Sequence, residues 1–140
     1  MDLEDNSNKV PNNYDRPFTP DRISTLKDNE IFVFGSNLQG MHGGGAARVA
    51  CQRFGAVMGV GVGLQGQSYA IPTMQGGVDT ISPYVDEFIE FARSRTDLTF
   101  LVTRIGCGIA GFTDDEIAPL FRAALSVENI LLPRSFVKNM

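Results

Sequence analysis

The chain has 140 residues, of which 43% are hydrophobic and 20% are charged, and its formal net charge at neutral pH is −4. This size and composition predict one globular domain with a substantial core. The net negative charge argues against a general attraction to nucleic acid or to an anionic membrane. Because the sequence shows neither an apolar run of membrane length nor a signal peptide, we expect a cytoplasmic protein with no membrane partner.

The sequence offers little for metal or disulfide chemistry. Its two cysteines, Cys51 and Cys107, form no CxxC pair and are too few for a disulfide scaffold. One histidine and scattered carboxylates predict no metal site, and no pattern in the sequence calls for a cofactor.

The N-terminal region differs in composition from the rest of the chain. Residues 1–20 are rich in Asn, Asp and Pro and hold few apolar anchors, so we expect a loosely ordered arm. Residues 21–140 are then expected to form a single domain. Its first buried strand is predicted at residues 31–34, a β-branched and aromatic run without polar alternation, which is typical of a strand covered on both faces.

A glycine-rich loop follows this strand and leads into a helix predicted at residues 44–54. The loop contains Asn37 and ends in three consecutive glycines at positions 43–45. Glycine allows the backbone to approach a ligand closely, and the free N–H groups and dipole at a helix start favour an anion. Residues 35–77 contain no Asp or Glu that would repel one. The loop is compatible with a phosphate site and, on its glycines alone, equally with a flexible surface loop.

The middle of the chain predicts one strand and one helix. A short strand is predicted at residues 68–71 and is ended by Pro72. Residues 56–67 are predicted as a strand edge and loop. A helix is expected to begin at Ser82 and Pro83, because a hydroxyl cap followed by proline favours a helix start.

A second glycine loop, residues 104–112, leaves the buried strand that we predict at residues 98–103. The helix after this loop should begin with a capping box formed by Thr113 and Glu116. Pro119 lies inside that helix and is expected to bend it.

Strands that alternate with helices, with a last strand predicted at residues 127–132, indicate an α/β fold. We expect a three-layer α/β/α sandwich around a mixed, mostly parallel sheet. Ligands bind such sheets at the carboxyl ends of the strands. Because both glycine loops leave such ends, we expect them to meet across one crevice that can hold a diphosphate through backbone N–H groups.

The two loops together resemble those of macrodomains, the ADP-ribose-binding modules. Asn37 lies eight residues before Gly45, as an Asn does before the last glycine of the first loop in that family. The second loop of the family is matched by GIAGF at residues 108–112, with Ala110 in place of the usual aromatic residue. The resemblance covers residues 31–125.

Within the macrodomains, the sequences of residues 43–55 and 104–108 are most similar to those of the terminal ADP-ribose glycohydrolases, the branch that removes ADP-ribose from acidic side chains. That branch uses a lysine after the second strand, where this chain has Thr73 and Met74. It also uses an aspartate at the position of Ala110. The residues of the covalent lysine mechanism are therefore missing.

The resemblance implies a macrodomain-like fold for residues 21–140 and a crevice that binds ADP-ribose or a related nucleotide, free or on an ADP-ribosylated protein. The first loop would hold the distal ribose and diphosphate, the second loop would hold the diphosphate, and Asp21 would reach the adenine. Phe112 would lie beside a sugar or base. The implied ligand-binding residues are Asn37, Gly43, Gly44, Gly45, Ala46, Gly106, Cys107, Gly108, Ile109, Ala110, Gly111 and Phe112.

Catalysis is a separate hypothesis. His42 can act as a general acid or base and Asp114 can orient a water, which would make the chain a hydrolase of ADP-ribosyl adducts or of ADP-ribose 1″-phosphate. An exposed loop position for His42 is an equal alternative. Cys107 would be a nucleophile only with a lowered pKa, and Arg104 suits either a phosphate or a structural ion pair. A third hypothesis is a non-enzymatic sensor of a cyclic or modified ADP-ribose, or an assembly protein.

Overall fold

A mixed five-stranded sheet organises the computed structural model, which describes residues 14–140. The strands are β1 (Glu30–Ser36), β2 (Gly63–Gln65), β3 (Ser68–Pro72), β4 (Thr99–Val102) and β5 (Ile130–Leu131). They lie in the order β2-β3-β1-β4-β5 across the sheet. All neighbouring pairs are parallel except β2 and β3, which are antiparallel. The prediction of an α/β fold with a mixed, mostly parallel sheet is confirmed.

Helices pack against both faces of this sheet. They are α1 (Gly45–Arg53), α2 (Val78–Ser94), α3 (Asp114–Ile117), a 3₁₀ helix that continues α3 (Ala118–Ser126) and α4 (Arg134–Lys138). On one face, Phe88 of α2 lies near Phe100 of β4 and Phe121 of the 3₁₀ helix, with ring centroids 5.5 and 6.4 Å apart. Within residues 14–140, every helix is too short or too polar to span a lipid bilayer.

The central strand, β1, is buried on both faces, as its unbroken apolar run predicts. Ile31 and Val33 belong to the core under α2 and the C-terminal helices. Phe32 and Phe34 belong to the smaller core under α1. Since successive side chains of a strand point to opposite faces, β1 supplies both cores at once.

The second helix begins earlier than we expected. Residue Val78 starts α2, and Thr80 supports this start by donating from its hydroxyl to the carbonyl of Gly77 at 2.6 Å. Ile81 is completely buried, so extending the helix toward its N-terminus adds to the core. Pro83 lies inside the second turn of the helix, where it has no N–H to donate to the carbonyl of Asp79.

The C-terminal part follows the predicted pattern with two differences. The capping box of Thr113 and Glu116 is present, and the α-helical turn changes to a 3₁₀ helix just before Pro119. The strand predicted at residues 127–132 is reduced to two residues of β5. Helix α4 was not predicted, because its five residues are too few to show a helical period.

The expected N-terminal arm is described only from Tyr14 onward, and its residues 1–13 lie outside the described part of the chain. Residues 14–20 do not lie loosely beside the domain. The Tyr14 side chain is buried, and its hydroxyl accepts a hydrogen bond of 2.9 Å from the N–H of Leu132. The guanidinium of Arg16 donates to three backbone carbonyls in the 3₁₀ helix and β5. Composition did not reveal this because hydrogen bonds to residues more than 100 positions away, and not a run of apolar residues, hold the segment.

The Tyr14 hydrogen bond gives a stability prediction. Tyr14→Phe should lower the free energy of unfolding by about 1–3 kcal/mol, because the buried N–H of Leu132 loses its acceptor. Urea denaturation measures this change. Tyr84→Phe removes a hydroxyl from a half-buried side chain of α2 and is the matched control, with little change expected. Equal effects of the two variants would show that the docked segment adds no specific stability.

Candidate functional site

The two glycine loops meet beyond the carboxyl ends of β1 and β4. At the end of β1, a Cβ on Gly35 would lie only 3.4 Å from the backbone nitrogen of Gly106. Across the crevice, the Cδ1 atom of Ile109 lies 3.1 Å from the position that a Cβ on Gly44 would take. The loops therefore form one crevice, as we expected because both leave the carboxyl ends of buried strands.

The crevice contains a pocket of about 160 Å³ between the two loops. Its lining includes eight of the predicted ligand-binding residues, namely Asn37, Gly44, Gly45, Ala46, Gly106, Gly108, Ile109 and Ala110. The predicted residues that do not line it are Gly43, Cys107, Gly111 and Phe112. Phe112 is half-buried and packs against the main core, so it lies under the second loop and not in the pocket.

The start of α1 forms one wall of this pocket. Gly45 has a φ of +58°, a conformation that favours glycine, and Gly44 precedes it in an extended conformation. Among the described residues, no side chain caps this helix and no acidic residue occupies its first turn. The N–H groups of the first turn have no partner within the helix, so they are available to an anion.

Asn37 lines the pocket while it shapes the first loop. Its Oδ1 atom accepts a hydrogen bond of 2.9 Å from the N–H of Met41, and its Nδ2 atom donates to the carbonyl of Met41 at 3.2 Å. Both polar atoms of the side chain are therefore engaged within the loop. A ligand would share these atoms with the loop.

His42 does not reach the pocket, so neither hypothesis for this residue fits its position. The imidazole is 2% exposed, and its Nε2 atom lies 3.0 and 3.1 Å from the carbonyl oxygens of Val57 and Val60. Two carbonyl acceptors require that Nε2 carries the proton. The ring packs edge-on against Phe34. His42 is a core residue, covered by the loop that contains Val57 and Val60. That loop is 15 or more residues away along the chain, so the residues around His42 did not predict its burial.

Asp114 is part of a hydrogen-bonded cluster beside the crevice. Arg104 contacts both carboxylate oxygens of Asp114 at 3.0 and 2.9 Å, and Ser135 donates to Oδ1 at 3.2 Å. The hydrogen bond from Arg104 holds the pKa of Asp114 below its usual value. Of the two alternatives for Arg104, the ion pair is the one present. A carboxylate with several donors and a lowered pKa is a weak base, so this geometry does not support a catalytic Asp114.

Cys107 is unsuited to nucleophilic chemistry. Its thiol donates to Asp114 over 3.6 Å. Burial raises the pKa of Cys107 to about 11, and the negative charge of Asp114 adds to the increase. At neutral pH the side chain is therefore a thiol and not the reactive thiolate.

A second and larger pocket, of about 690 Å³, adjoins the first. The two share Ala46, Thr103 and Arg104 in their linings. The other residues that line the larger pocket are Thr19, Pro20, Asp21, Ile23, Phe32, Val49, Val102, Asp114, Pro133, Arg134 and Ser135. Of these, only Asp21 and Asp114 were expected near a ligand. The contribution from residues 133–135 was missed together with α4.

Comparison of the chain with known protein families, with curated proteins and with solved structures finds no match. The resemblance to macrodomains therefore rests on the two loop motifs.

The Arg104–Asp114 pair predicts a pH-dependent stability. The pKa of Asp114 is lower in the folded protein than its usual 3.8, so the stabilisation is present above that value and is lost as the pH falls through the folded-state pKa. Asp114→Asn should lower the free energy of unfolding by about 1 kcal/mol near neutral pH, and the difference from wild type should shrink at about pH 2.5. Urea denaturation at both pH values tests this.

Asp115→Asn is the matched control, because Asp115 is exposed in the same helical turn. It should cost less at neutral pH than Asp114→Asn. Equal losses from the two variants would contradict a specific contribution of the ion pair.

The raised pKa of Cys107 predicts slow alkylation. At about pH 8, iodoacetamide should modify Cys107 at least about 100-fold more slowly than a cysteine in an unstructured peptide, because far less thiolate is present. Peptide-level mass spectrometry over time distinguishes it from Cys51. Asp114→Asn should accelerate the reaction, and unfolding in guanidinium should abolish the protection. Modification of the folded protein at the peptide rate would contradict the assignment.

Proposed function

We propose that this chain binds ADP-ribose, or a related nucleotide that contains ADP-ribose, in the crevice between its two glycine loops. The observation that carries the proposal is the convergence of both loops on the uncapped start of α1. Among the described residues, the pocket at this point is lined by no carboxylate. We include in the proposal a macrodomain-like three-layer fold, which the two-sided packing of helices on the mixed sheet supports.

A diphosphate suits the pocket between the loops. The first-turn N–H groups of α1 and the helix dipole favour a negative charge at Gly44 and Gly45. Around Gly108, a Cβ would meet no atom of the described residues within 4 Å, which leaves room for a ligand to approach the second loop. Arg104 lines both pockets, and because its side chain is 56% exposed while paired with Asp114, it can also face a phosphate.

The adjoining larger pocket suits a nucleoside. Ile23, Phe32 and Val49 supply apolar surface for a flat base, and Asp21 supplies an acceptor for an exocyclic amine. Because the two pockets share part of their lining, one ligand can occupy both, with its phosphates near Arg104. This arrangement favours an extended nucleotide over an isolated phosphate.

Binding is better supported than hydrolysis. The polar side chains that line the pocket between the loops are Ser36, Asn37, Thr73, Thr103 and Arg104. None of these side chain types titrates near neutral pH, so none suits general acid–base catalysis. A binding function, for a free nucleotide or for one attached to a protein, therefore fits the described residues best.

The proposal is tested by calorimetric titration with ADP-ribose, followed by chromatography of each sample. We expect saturable binding and no product. Gly44→Glu should lower the affinity at least about 100-fold, because its carboxylate would lie where the phosphates bind. Gly44→Gln fills similar space without charge, so the difference between these variants reports the charge at this site.

Gln52→Glu is the second control, because it adds the same charge to an exposed position of the same helix. Its affinity should stay within about twofold of wild type. Absence of binding to ADP-ribose in the wild-type protein would overturn the proposal. A hydrolysis product would overturn the preference for binding over catalysis.

A further inference from the structure

Three exposed apolar side chains surround the mouth of the pocket between the loops. Met41, Met74 and Ile109 are 63%, 47% and 73% exposed, and all three line that pocket. They come from three separate segments, namely the first glycine loop, the loop after β3 and the second glycine loop. We call these three residues the apolar rim.

Two of the three rim residues, Met41 and Met74, lie in stretches of the chain without charged side chains. Residues 35–47 and 54–77 contain no Asp, Glu, Lys or Arg, although 20% of the whole chain is charged. Further exposed apolar side chains come from the segment packed against the first loop, where Met58 accepts a hydrogen bond from the N–H of His42 at 3.3 Å. Exposed apolar groups that converge on a pocket are typical of a binding surface.

Free ADP-ribose leaves this rim without a suitable partner. Its phosphates would bind at the glycine loops, and its distal ribose ends in a hydroxyl group that prefers water. Contact between a hydroxyl and a methionine side chain removes the hydroxyl from water without offering a hydrogen bond of comparable strength. A flat, uncharged ring attached to that ribose would instead bury the rim, and thioethers pack well against the edges of such rings.

We propose that the ligand is an intact dinucleotide that carries an uncharged planar base on its second ribose, and that this base lies against Met41 and Met74. The inference rests on the proposed binding of an ADP-ribose-containing nucleotide in the crevice. Among the described residues that line the pocket, Arg104 is the one charged side chain, so a positively charged ring would find no carboxylate there. The rim therefore favours the reduced, neutral nicotinamide ring over the oxidised, cationic ring.

Calorimetric titrations with three probes test this inference, namely ADP-ribose and the oxidised and reduced forms of nicotinamide adenine dinucleotide. The reduced dinucleotide should bind about tenfold more tightly than ADP-ribose, which corresponds to about 1.4 kcal/mol. The oxidised form should bind more weakly than the reduced form. Each sample is then analysed by chromatography, where the dinucleotide should remain intact.

The double variant Met41→Gln/Met74→Gln tests whether the base lies against the apolar rim. Glutamine keeps the length of the side chain but replaces the thioether with an amide, so the affinity ratio of reduced dinucleotide to ADP-ribose should fall to within about twofold. Leu64→Gln makes a comparable change at an exposed apolar residue of β2 outside the pocket and should keep the wild-type ratio. A general effect of a variant on the fold would change both affinities alike, so it cancels in their ratio.

The outcomes separate this inference from the proposed function. Binding of ADP-ribose as tight as that of the reduced dinucleotide would overturn the inference and leave the proposed function standing. Tighter binding of the oxidised form would overturn the preference for an uncharged ring. A tenfold preference that survives in the double variant would overturn the assignment of the base to the rim. Failure of all three probes to bind would overturn both proposals.

Discussion

The pairing of β1 with a parallel strand on each side is the constraint on which the rest of the structure depends. Strands β3 and β4 run in the same direction as β1, so the carboxyl ends of all three lie at one edge of the sheet. Backbone hydrogen bonds continue past the ends of β3 and β4. The N–H of Thr73 donates to the carbonyl of Ser36 at 2.8 Å, and the N–H of Thr103 donates to the carbonyl of Val33 at 3.1 Å. The loops that leave these strands therefore start side by side. The crevice is a consequence of strand direction before any loop residue is considered.

Close contact between backbones then gives the first glycine loop its shape. A Cβ on Gly40 would collide with the backbone of Val60, and a Cβ on Gly61 would collide with a carbonyl oxygen of the loop. The side chains of His42 and Gln65 both bond to the carbonyl of Val60, at 3.1 and 3.0 Å. At these two positions glycine is needed because the backbones pack too closely for a side chain.

Local patterns predicted the elements that position the site, and long-range contacts explain most of what they missed. The buried run of β1 and the capping box at Thr113 are set by neighbouring residues, so the sequence contained the information needed. The burial of His42 depends on Val57 and Val60, and the docking of Arg16 depends on the last strand. No pattern within a short window reports such contacts. The candidate ligand loops were found because the glycines of each loop lie within a few residues of one another in the sequence. The larger pocket was not found, because it is built from segments that are far apart along the chain.

The polar groups near the crevice are used mainly to hold the protein's own structure. Asn37 closes its loop, His42 binds two carbonyls, and Asp114 is engaged by Arg104. Side chains engaged in this way have little freedom to move protons, but they hold the backbone in a fixed geometry. Backbone N–H groups fixed before a ligand arrives lose little conformational entropy on binding. This geometry supports the proposal that the crevice binds a nucleotide through its phosphates over the hypothesis that it breaks a bond in one.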